Sequence, residues 1–267
     1  MSRKILFMVV VMSLAAGAQA TQLIQDDFSY TLGDLDTQGS WALHSGTTAL
    51  NVVSTNSDGV GNSLETAISG YPVSAGNHIE ILSTNSKDLH KDFTAQLTGD
   101  GQSIYAGMLV KVTTLPTLTG TYPTHFILTG STTTFPCRLF VKQDADTVHY
   151  NFGLTLTQTA TPTFESTLRN VGQTYLIVYK LTTVAGVTND TCALYVDPTD
   201  FTTEGNNSTA ITYANTGSDT DVAQASGIGR IGFRQAAGEG TIQVDSVRVG
   251  NTWTDAVPVE LSIFTVE

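Results

Sequence analysis

The sequence predicts an all-β protein in which two antiparallel sheets pack against each other as a sandwich. Apolar and polar residues alternate with a period of two across residues 104–112 and again across 148–156, as half-buried strands require. Clusters of Gly, Asn, Asp and Pro separate such stretches, for example at 119–123 and 206–218. Short alternating segments with intervening turns, and no convincing helical period, are typical of a sandwich.

The same pattern predicts further strands. β-Branched and aromatic residues are enriched in four more alternating segments, at 139–143, 175–181, 192–196 and 228–234. Near the end of the chain, the apolar positions change parity at Asp245. A change of parity within a strand predicts a β-bulge, which would redirect the Asp245 side chain.

Residues 1–20 have the features of a signal peptide. Basic residues at 3–4 precede an apolar run at 5–14, and the Ala-Gln-Ala sequence at 18–20 matches a cleavage site. The apolar run is shorter than the roughly 20 residues of a membrane span, although a retained N-terminal anchor is the alternative. We expect a secreted protein, extracellular or at a bacterial cell surface, with no membrane span in the mature chain.

Residues 21–256 are expected to form one domain. Sandwiches often reach this length as a single unit, and a chain of this size buries a core without disulfides. Hydrophobic residues make up 40% of the sequence, which argues against disorder. Residues 257–267 are interpreted as a C-terminal extended tail or a joint between modules, and the alternative is an ordinary last strand.

The chain is strongly acidic. Its formal net charge is −12, and removal of Arg3 and Lys4 with the signal peptide lowers it to −14. Such a chain repels phosphate backbones, so nucleic acid is excluded as a class of partner. The same charge suits divalent cations and disfavours polyanionic glycans.

Cys137 and Cys192 are the two cysteines of the sequence. Export would allow a disulfide between them. Both lie in predicted strands with two other strands between them, and in a four-stranded meander their Cα atoms would exceed the limit of about 7 Å for a disulfide. We therefore expect two small buried thiols, with a bridge as the alternative.

The chain resembles a concanavalin-like, laminin-G-like jelly-roll module of bacterial secreted proteins. The resemblance covers most of the mature chain, and its motifs are DDFSY at 26–30, GSW at 39–41, RLFVK at 138–142 and VDSVRVG at 244–250. It implies a two-sheet antiparallel jelly-roll sandwich and an association with glycans. Residues 257–265 are similar to the "PVELTSFTA" joint of exported proteins from Bacteroidetes-like bacteria.

The resemblance also implies a structural calcium ion. In the wider superfamily, the acidic residue of the last strand binds calcium together with an acidic residue of the first strand and a carbonyl of the following loop. Asp245 matches the first of these, Asp27 or Asp26 the second, and Gly61 or Gly59 the third. Calcium prefers hard oxygen ligands of this kind.

A second interpretation of Asp245 needs no metal. A carboxylate near the core of a sandwich is costly unless it is paired. Hydrogen bonds from backbone amides, or an ion pair with Arg248 or Arg230, would also stabilise it. If calcium binds, it acts as a structural staple and takes no part in catalysis.

No catalytic motif is recognisable. Retaining glycan hydrolases of the resembled fold carry an E-x-D-x-x-E run, because they need two carboxylates about 5 Å apart; the chain has no such run. A G-x-S-x-G elbow is also missing. The five histidines show none of the paired spacings of metal sites. We expect a protein that is not an enzyme.

A sugar-binding surface would combine aromatic platforms with hydrogen-bonding side chains on an outer sheet face. Tyr105, His149 and Asn151 lie opposite the more apolar rows of their strands and are the candidate ligand-binding residues. The alternative is a solvated outer face without a ligand. Trp41 and Trp253 are expected to close the core.

These observations favour a secreted, non-catalytic binding or adhesion module whose partner is a polysaccharide or cell-surface glycan. One alternative is a self-assembling structural subunit of an extracellular matrix, surface layer or fibre, for which a flat apolar face would be the sign. Another is a glycan hydrolase with a non-standard site, which two carboxylates within about 6 Å in a groove would favour.

Overall fold

The computed structural model describes residues 22–54, 64, 71, 76–157, 160–214, 221–222 and 227–258. The predicted signal peptide at 1–20 and most of the predicted tail lie outside these residues. The elements within them are, in chain order, β1 (Gln22–Asp26), β2 (Gly33–Asp34), β3 (Trp41–Ser45), β4 (Asn51–Val53), β5 (His78–Leu82), β6 (Asp88–Leu97), β7 (Ser103–Thr114), β8 (Thr121–Leu128), β9 (Arg138–Gln143), β10 (His149–Thr155), β11 (Thr163–Phe164), β12 (Arg169–Asn170), β13 (Thr174–Thr182), β14 (Thr191–Val196), a 3-10 helix (Glu204–Asn206), β15 (Ile211–Ala214), β16 (Ile228–Phe233), β17 (Thr241–Gly250) and α1 (Trp253–Ala256). No helix in this described part is long and apolar enough to cross a membrane.

The described strands form two antiparallel sheets, which confirms the predicted sandwich. The nine-stranded sheet has the order β15-β14-β13-β7-β17-β5-β4-β2, and β1 also pairs with β17. The eight-stranded sheet has the order β11-β10-β9-β8-β16-β6-β3, and β12 also pairs with β10. The first and last strands are therefore neighbours, and the long strands β7 and β17 form the centre of their sheet.

Alternate residues of both sheets fill one core between them. Phe126 of β8 and Tyr179 of β13 come from opposite sheets, and their ring centres lie 4.9 Å apart. Trp41 is buried with its ring centre 5.2 Å from that of Phe233, as predicted for a core tryptophan. Burial of a side chain as large as Phe contributes roughly 1.5–3 kcal/mol, so these aromatic contacts are a main source of stability.

One segment that the sequence predicts as a turn contains a strand. β15 lies within 206–218 and pairs with β14 at the edge of the nine-stranded sheet. Of its residues only Ile211 is buried. A single buried position cannot produce a visible period of two, which explains why the pattern misses this strand.

The β-bulge predicted at Asp245 is present. The pairing of β17 with β7 shifts register between Asp245 and Arg248. Ser246, inside the bulge, has a φ of 51°, in the left-handed region that residues other than glycine rarely adopt. The bulge leaves the Asp245 side chain completely buried.

Cys137 and Cys192 are free and buried, as the sequence predicts. The four-stranded meander on which their predicted separation depended is, however, not formed. The chain crosses from the eight-stranded sheet, which contains β9 and β10, to the nine-stranded sheet, which contains β13 and β14. Cys137, directly before β9, and Cys192 of β14 therefore enter the core from opposite sheets, and the Cys137 thiol donates to the Lys180 carbonyl at 3.5 Å.

The C-terminal segment covers part of the outer face of the nine-stranded sheet. α1 places Trp253 with its ring centre 6.3 Å from that of Tyr105. Gly107 permits this approach, because a Cβ there would lie 2.1 Å from the carbonyl oxygen of Ala256. Val257, the first residue of the predicted tail, is buried in the same cluster. Trp253 is thus a packing residue, as predicted.

Candidate ligand-binding face

A row of paired residues crosses five strands on the outer face of the eight-stranded sheet. Antiparallel pairing places directly opposed side chains on one face. In order across β6, β16, β8, β9 and β10, the row consists of His90, Gly232, His125, Arg138 and Thr155. Adjacent positions such as Leu139 and Ile231 belong to the core, so the row faces away from it.

Aromatic rings and cations extend this row into a continuous surface feature. We call it the cationic strip, and it consists of Tyr122, His125, Phe135, Arg138, Phe140, Lys142, Phe164 and Arg234. The guanidinium carbons of Arg138 and Arg234 lie 4.7 and 4.4 Å from the ring centre of Tyr122. These distances are within the range of about 6 Å for cation–π interactions. The ring centre of Phe140 lies 5.3 Å from that of Tyr122, so Tyr122 is the centre of the strip.

A glycine makes room for an aromatic ring at one end of the strip. Gly153 of β10 pairs with Phe164 of β11, and a Cβ at Gly153 would lie 2.5 Å from the Phe164 ring. The ring can therefore pack directly on the backbone of the sheet while it stays partly exposed. The ammonium nitrogen of Lys142 lies 4.3 Å from the same ring centre.

His125 is buried in the strip without a hydrogen-bond partner. Only 2% of it is exposed, and neither ring nitrogen has a partner within the described residues. Its ring centre lies 5.6 Å from that of Tyr122 and 4.5 Å from that of Phe135. Burial, reinforced by the positive charges nearby, lowers the pKa of His125 well below its usual value. The neutral ring therefore has one donor and one acceptor free.

The positive charge of the strip is only partly balanced. Arg138 is 5% exposed and donates to Thr155 Oγ1, at 3.2 Å, and to the Thr157 carbonyl, both of which are uncharged. Arg234 Nη1 lies 3.6 Å from Glu239 Oε1. Burial raises the pKa of Glu239 to about 8. Because Glu239 is then mostly protonated near pH 7, it balances little of the charge of Arg234.

The predicted grouping of Tyr105 with His149 and Asn151 needs correction. Tyr105 lies on β7 and the other two lie on β10, so the three residues belong to different sheets. Tyr105 is 6% exposed beneath Trp253, and its hydroxyl donates to Glu204 Oε2 at 2.7 Å. It does not form a surface with the other two because the C-terminal segment covers its face of the nine-stranded sheet.

His149 and Asn151 lie on the same outer face as the cationic strip. Asn151 pairs with Lys142 across β9 and β10, and its amide donates to the Thr167 carbonyl at 2.9 Å. His149 is partly exposed, and its Nδ1 forms a hydrogen bond with Asp146. Both residues therefore flank the strip, and their predicted role in ligand binding stays a prediction.

Two of the three predicted calcium ligands, Asp27 and Asp245, lie in one acidic cluster with Asp26. Burial raises the pKa of Asp245 to about 8, two backbone hydrogen bonds oppose this effect, and the charges of Asp27 and Asp26 add to it. Gly61, the third predicted ligand, lies outside the described residues.

Two cations balance part of this acidic cluster. Lys91 Nζ lies 2.7 Å from Asp26 Oδ2, and Arg248 Nη2 lies 3.3 Å from Asp27 Oδ1. An ionised Asp245 would therefore leave one negative charge in excess. Hard carboxylate oxygens with excess negative charge fit a calcium ion, which Asp245 and Asp27 would hold.

The metal-free interpretation of Asp245 also has support in the structure. Its Oδ2 accepts a hydrogen bond from Leu64 N at 2.9 Å, and its Oδ1 accepts one from Ser246 N at 2.6 Å. Among the described residues, no group of three His, Cys, Asp or Glu side chains could hold a metal together. A calcium site would thus depend on backbone carbonyls for its remaining ligands.

One segment of the sequence, residues 138–142, indicates part of the cationic strip, although it did not enter the prediction of ligand-binding residues. The segment 138–142 alternates Arg, Phe and Lys with Leu and Val, in a chain with only 12 Lys and Arg residues. This alternation places two cations and a ring on one face of a strand. Tyr122 and Arg234 could not be added from the pattern, because they come from other parts of the chain.

No protein-family model matches the chain, and no curated protein sequence matches it significantly. Solved structures share its fold. The globular domain of T. cruzi calreticulin has a TM-score of 0.50 and 9% identity, covering 87% of this chain and 88% of that one. The endo-1,3-beta-glucanase from Streptomyces sioyaensis has a TM-score of 0.47 and 14% identity, covering 90% of this chain and 99% of that one.

A third similar structure is the CBM2 module of the evolved Dit of Lactobacillus casei BL23 phage J-1. It has a TM-score of 0.44 and 10% identity, covering 87% of this chain and 96% of that one. At these identities the similarity shows the fold alone. The chain has a two-sheet antiparallel sandwich of the kind seen in the calreticulin globular domain.

Proposed function

We propose that this chain is a secreted, non-catalytic carbohydrate-binding module whose ligand lies across the cationic strip. The observation that carries the proposal is the position of Tyr122, a partly exposed ring in contact with Arg138, Arg234 and Phe140. An aromatic face can stack on the C–H bonds of a pyranose while neighbouring polar groups fix its orientation.

The extent of the strip favours a polysaccharide over a single sugar. The ring centres of Tyr122 and Phe140 lie 5.3 Å apart, and those of Phe140 and Phe164 lie 6.3 Å apart. These rings come from β8, β9 and β11, so they follow one another across the sheet. Tyr122 and Phe164 are the partly exposed rings and can contact separate units of a chain-like ligand, with the buried Phe140 between them.

The carboxylates beside the strip support a binding role over hydrolysis. Asp92 forms an ion pair with Arg230, and Glu239 lies beside Arg234 and is completely buried. A retaining or inverting glycosidase needs two carboxyl groups placed on either side of an accessible glycosidic bond. An ion pair with arginine makes Asp92 poorly suited to that role, and complete burial does the same for Glu239.

A glycan array, run in calcium and again in chelator, tests the proposal. We expect the folded wild-type chain to bind a defined class of polysaccharide, and Tyr122→Ala to bind it much more weakly. Tyr213→Ala is the matched control, because it removes the same side chain from β15 of the other sheet. Circular dichroism would verify that each variant is folded. Absence of binding by the folded wild type, or equal binding by Tyr122→Ala, would contradict the proposal.

A further inference from the structure

We infer that the cationic strip selects acidic polysaccharides, those that carry carboxylate or sulfate groups. This inference rests on the proposed function and specifies its ligand class. The net charge of −12 suggests the opposite, since an acidic chain disfavours polyanions. However, charges are screened over about 8 Å at physiological ionic strength, so the local arrangement of cations governs binding at the strip.

Two of the three described cations that form no ion pair belong to the strip. Ion pairs within the described residues engage seven of the ten Lys and Arg residues found there. The other three are Lys111, Arg138 and Lys142. Arg138 and Lys142 belong to the strip, whereas Lys111 lies on β7 of the other sheet. An otherwise acidic surface thus has a local excess of positive charge at the strip.

Arg234 adds a third cation whose neighbour does not balance it. Glu239 Oε2 accepts a hydrogen bond from Ala236 N at 2.9 Å, whereas the contact of its Oε1 with Arg234 is 3.6 Å long. This distance exceeds that of a direct charge-assisted hydrogen bond, which is about 2.7–2.9 Å. The guanidinium of Arg234 is therefore available to an external anion.

Arg138 is a buried cation that two aromatic rings and two neutral oxygens stabilise, but no carboxylate of the described residues forms an ion pair with it. A buried charge is costly unless it is paired, and the described hydrogen bonds of Arg138 go to the uncharged oxygens of Thr155 and Thr157. These contacts use part of its five donors. Carboxylate and sulfate groups match the planar fork of a guanidinium. His125, buried beside Tyr122 without a partner, offers a further neutral donor.

Titration calorimetry with matched polysaccharides tests the inference. Polygalacturonate and its methyl ester share a backbone but differ in charge, and dextran sulfate and dextran form a second pair. Chelator is present so that calcium does not cross-link the polygalacturonate. We expect the wild type to bind an acidic member at least about tenfold more tightly than its neutral counterpart, with an affinity that falls as salt is added.

Charge variants locate the effect on the molecule. Lys142→Gln and Arg234→Gln should each weaken binding of the acidic polysaccharide by roughly two- to fivefold, the range for a partly exposed ion pair. Lys111→Gln removes the same charge from the other sheet and should leave binding unchanged. All three positions are partly exposed, so we expect these variants to fold.

The outcomes separate this inference from the proposed function. Equal affinity for the acidic and neutral members overturns the selectivity but leaves carbohydrate binding in place. An effect of Lys111→Gln as large as that of Lys142→Gln overturns it as well, since binding would then follow overall charge. Failure of the folded chain to bind any polysaccharide overturns the proposed function and the inference together.

Discussion

The guanidinium carbon of Arg138 lies 4.7 Å from the ring centre of Tyr122. Arg138 is almost completely buried, whereas Tyr122 is partly exposed. The ring therefore stabilises a buried cation and is itself partly exposed to solvent. This arrangement links the stability of the eight-stranded sheet to the proposed ligand surface.

Replacement of Tyr122 should reveal this link. We expect Tyr122→Ala to lower the free energy of unfolding by roughly 1–3 kcal/mol, because it removes the contacts of the ring with two guanidinium groups and with Phe140. Tyr122→Phe keeps the ring and should stay within about 0.5 kcal/mol of the wild type. Urea denaturation measures both. Equal stability of the Ala variant and the wild type would show that the ring does not stabilise the sheet.

The buried carboxyl of Glu239 should make stability depend on pH. Burial raises its pKa from 4.5 to about 8 in the folded chain, with Asp88 adding to the effect and Arg234 opposing it. Between these values the folded chain holds a proton that the unfolded chain has released. The contribution of the protonated Glu239 to the free energy of unfolding is therefore complete below about pH 4.5. It is lost as the pH rises through about 8. A single group contributes at most about 1.4 kcal/mol per pH unit.

The variant Glu239→Gln checks this prediction. Its free energy of unfolding, measured by urea denaturation from pH 5 to pH 9, should decline less steeply than that of the wild type. Some decline should persist, because burial also raises the pKa of Asp245 to about 8. If the two curves decline in parallel, Glu239 is not the source of the pH dependence.

Chelation should destabilise the chain if calcium binds at Asp245. At a calcium concentration a hundred times the Kd, the ion would add about 2.7 kcal/mol, or roughly 5–10 °C in Tm for a chain of this size. Asp245→Ala should have a lower Tm than the wild type and should not respond to calcium. Thermal unfolding in calcium, magnesium and chelator measures these effects. An unchanged wild-type Tm in chelator would favour the metal-free interpretation.

The two cysteines should be unreactive until the chain unfolds. Cys137 and Cys192 are free and buried, and burial raises the pKa of the Cys192 thiol well above its usual value, which lowers the fraction of reactive thiolate. A thiol reagent should label neither cysteine in the native chain and both in denaturant. Rapid native labelling would contradict their burial, whereas no labelling in denaturant without reductant would show that a disulfide forms.

The period of two was sufficient to predict the strands that supply the core. β9, β10, β13 and β14 lie close to their predicted positions, because burial on one face requires alternation. The bulge at Asp245 was predictable for the same reason. By contrast, β15 has one buried residue, and its sequence therefore shows no period.

The assignment of strands to sheets was not predictable from local sequence. Cys137 and Cys192 enter the core from opposite sheets because the chain crosses between sheets after β10, and a local pattern does not encode such a crossing. Tyr105 and Asn151 both lie opposite core-facing rows, but only the sheet of Tyr105 is covered by α1. The candidate site could be predicted only in part because its members come from four separate segments of the chain.

Nitrogen-15 spectra of the arginine side chains would test the location of the ligand most directly. The oligosaccharide that binds most tightly on the glycan array would be added to the labelled chain until binding is saturated. We predict that the Nε–H resonances of Arg138 and Arg234 shift on binding and that those of Arg248, which is paired with Asp27, do not. Saturable binding that shifts Arg248 but neither Arg138 nor Arg234 would contradict a ligand site on the cationic strip.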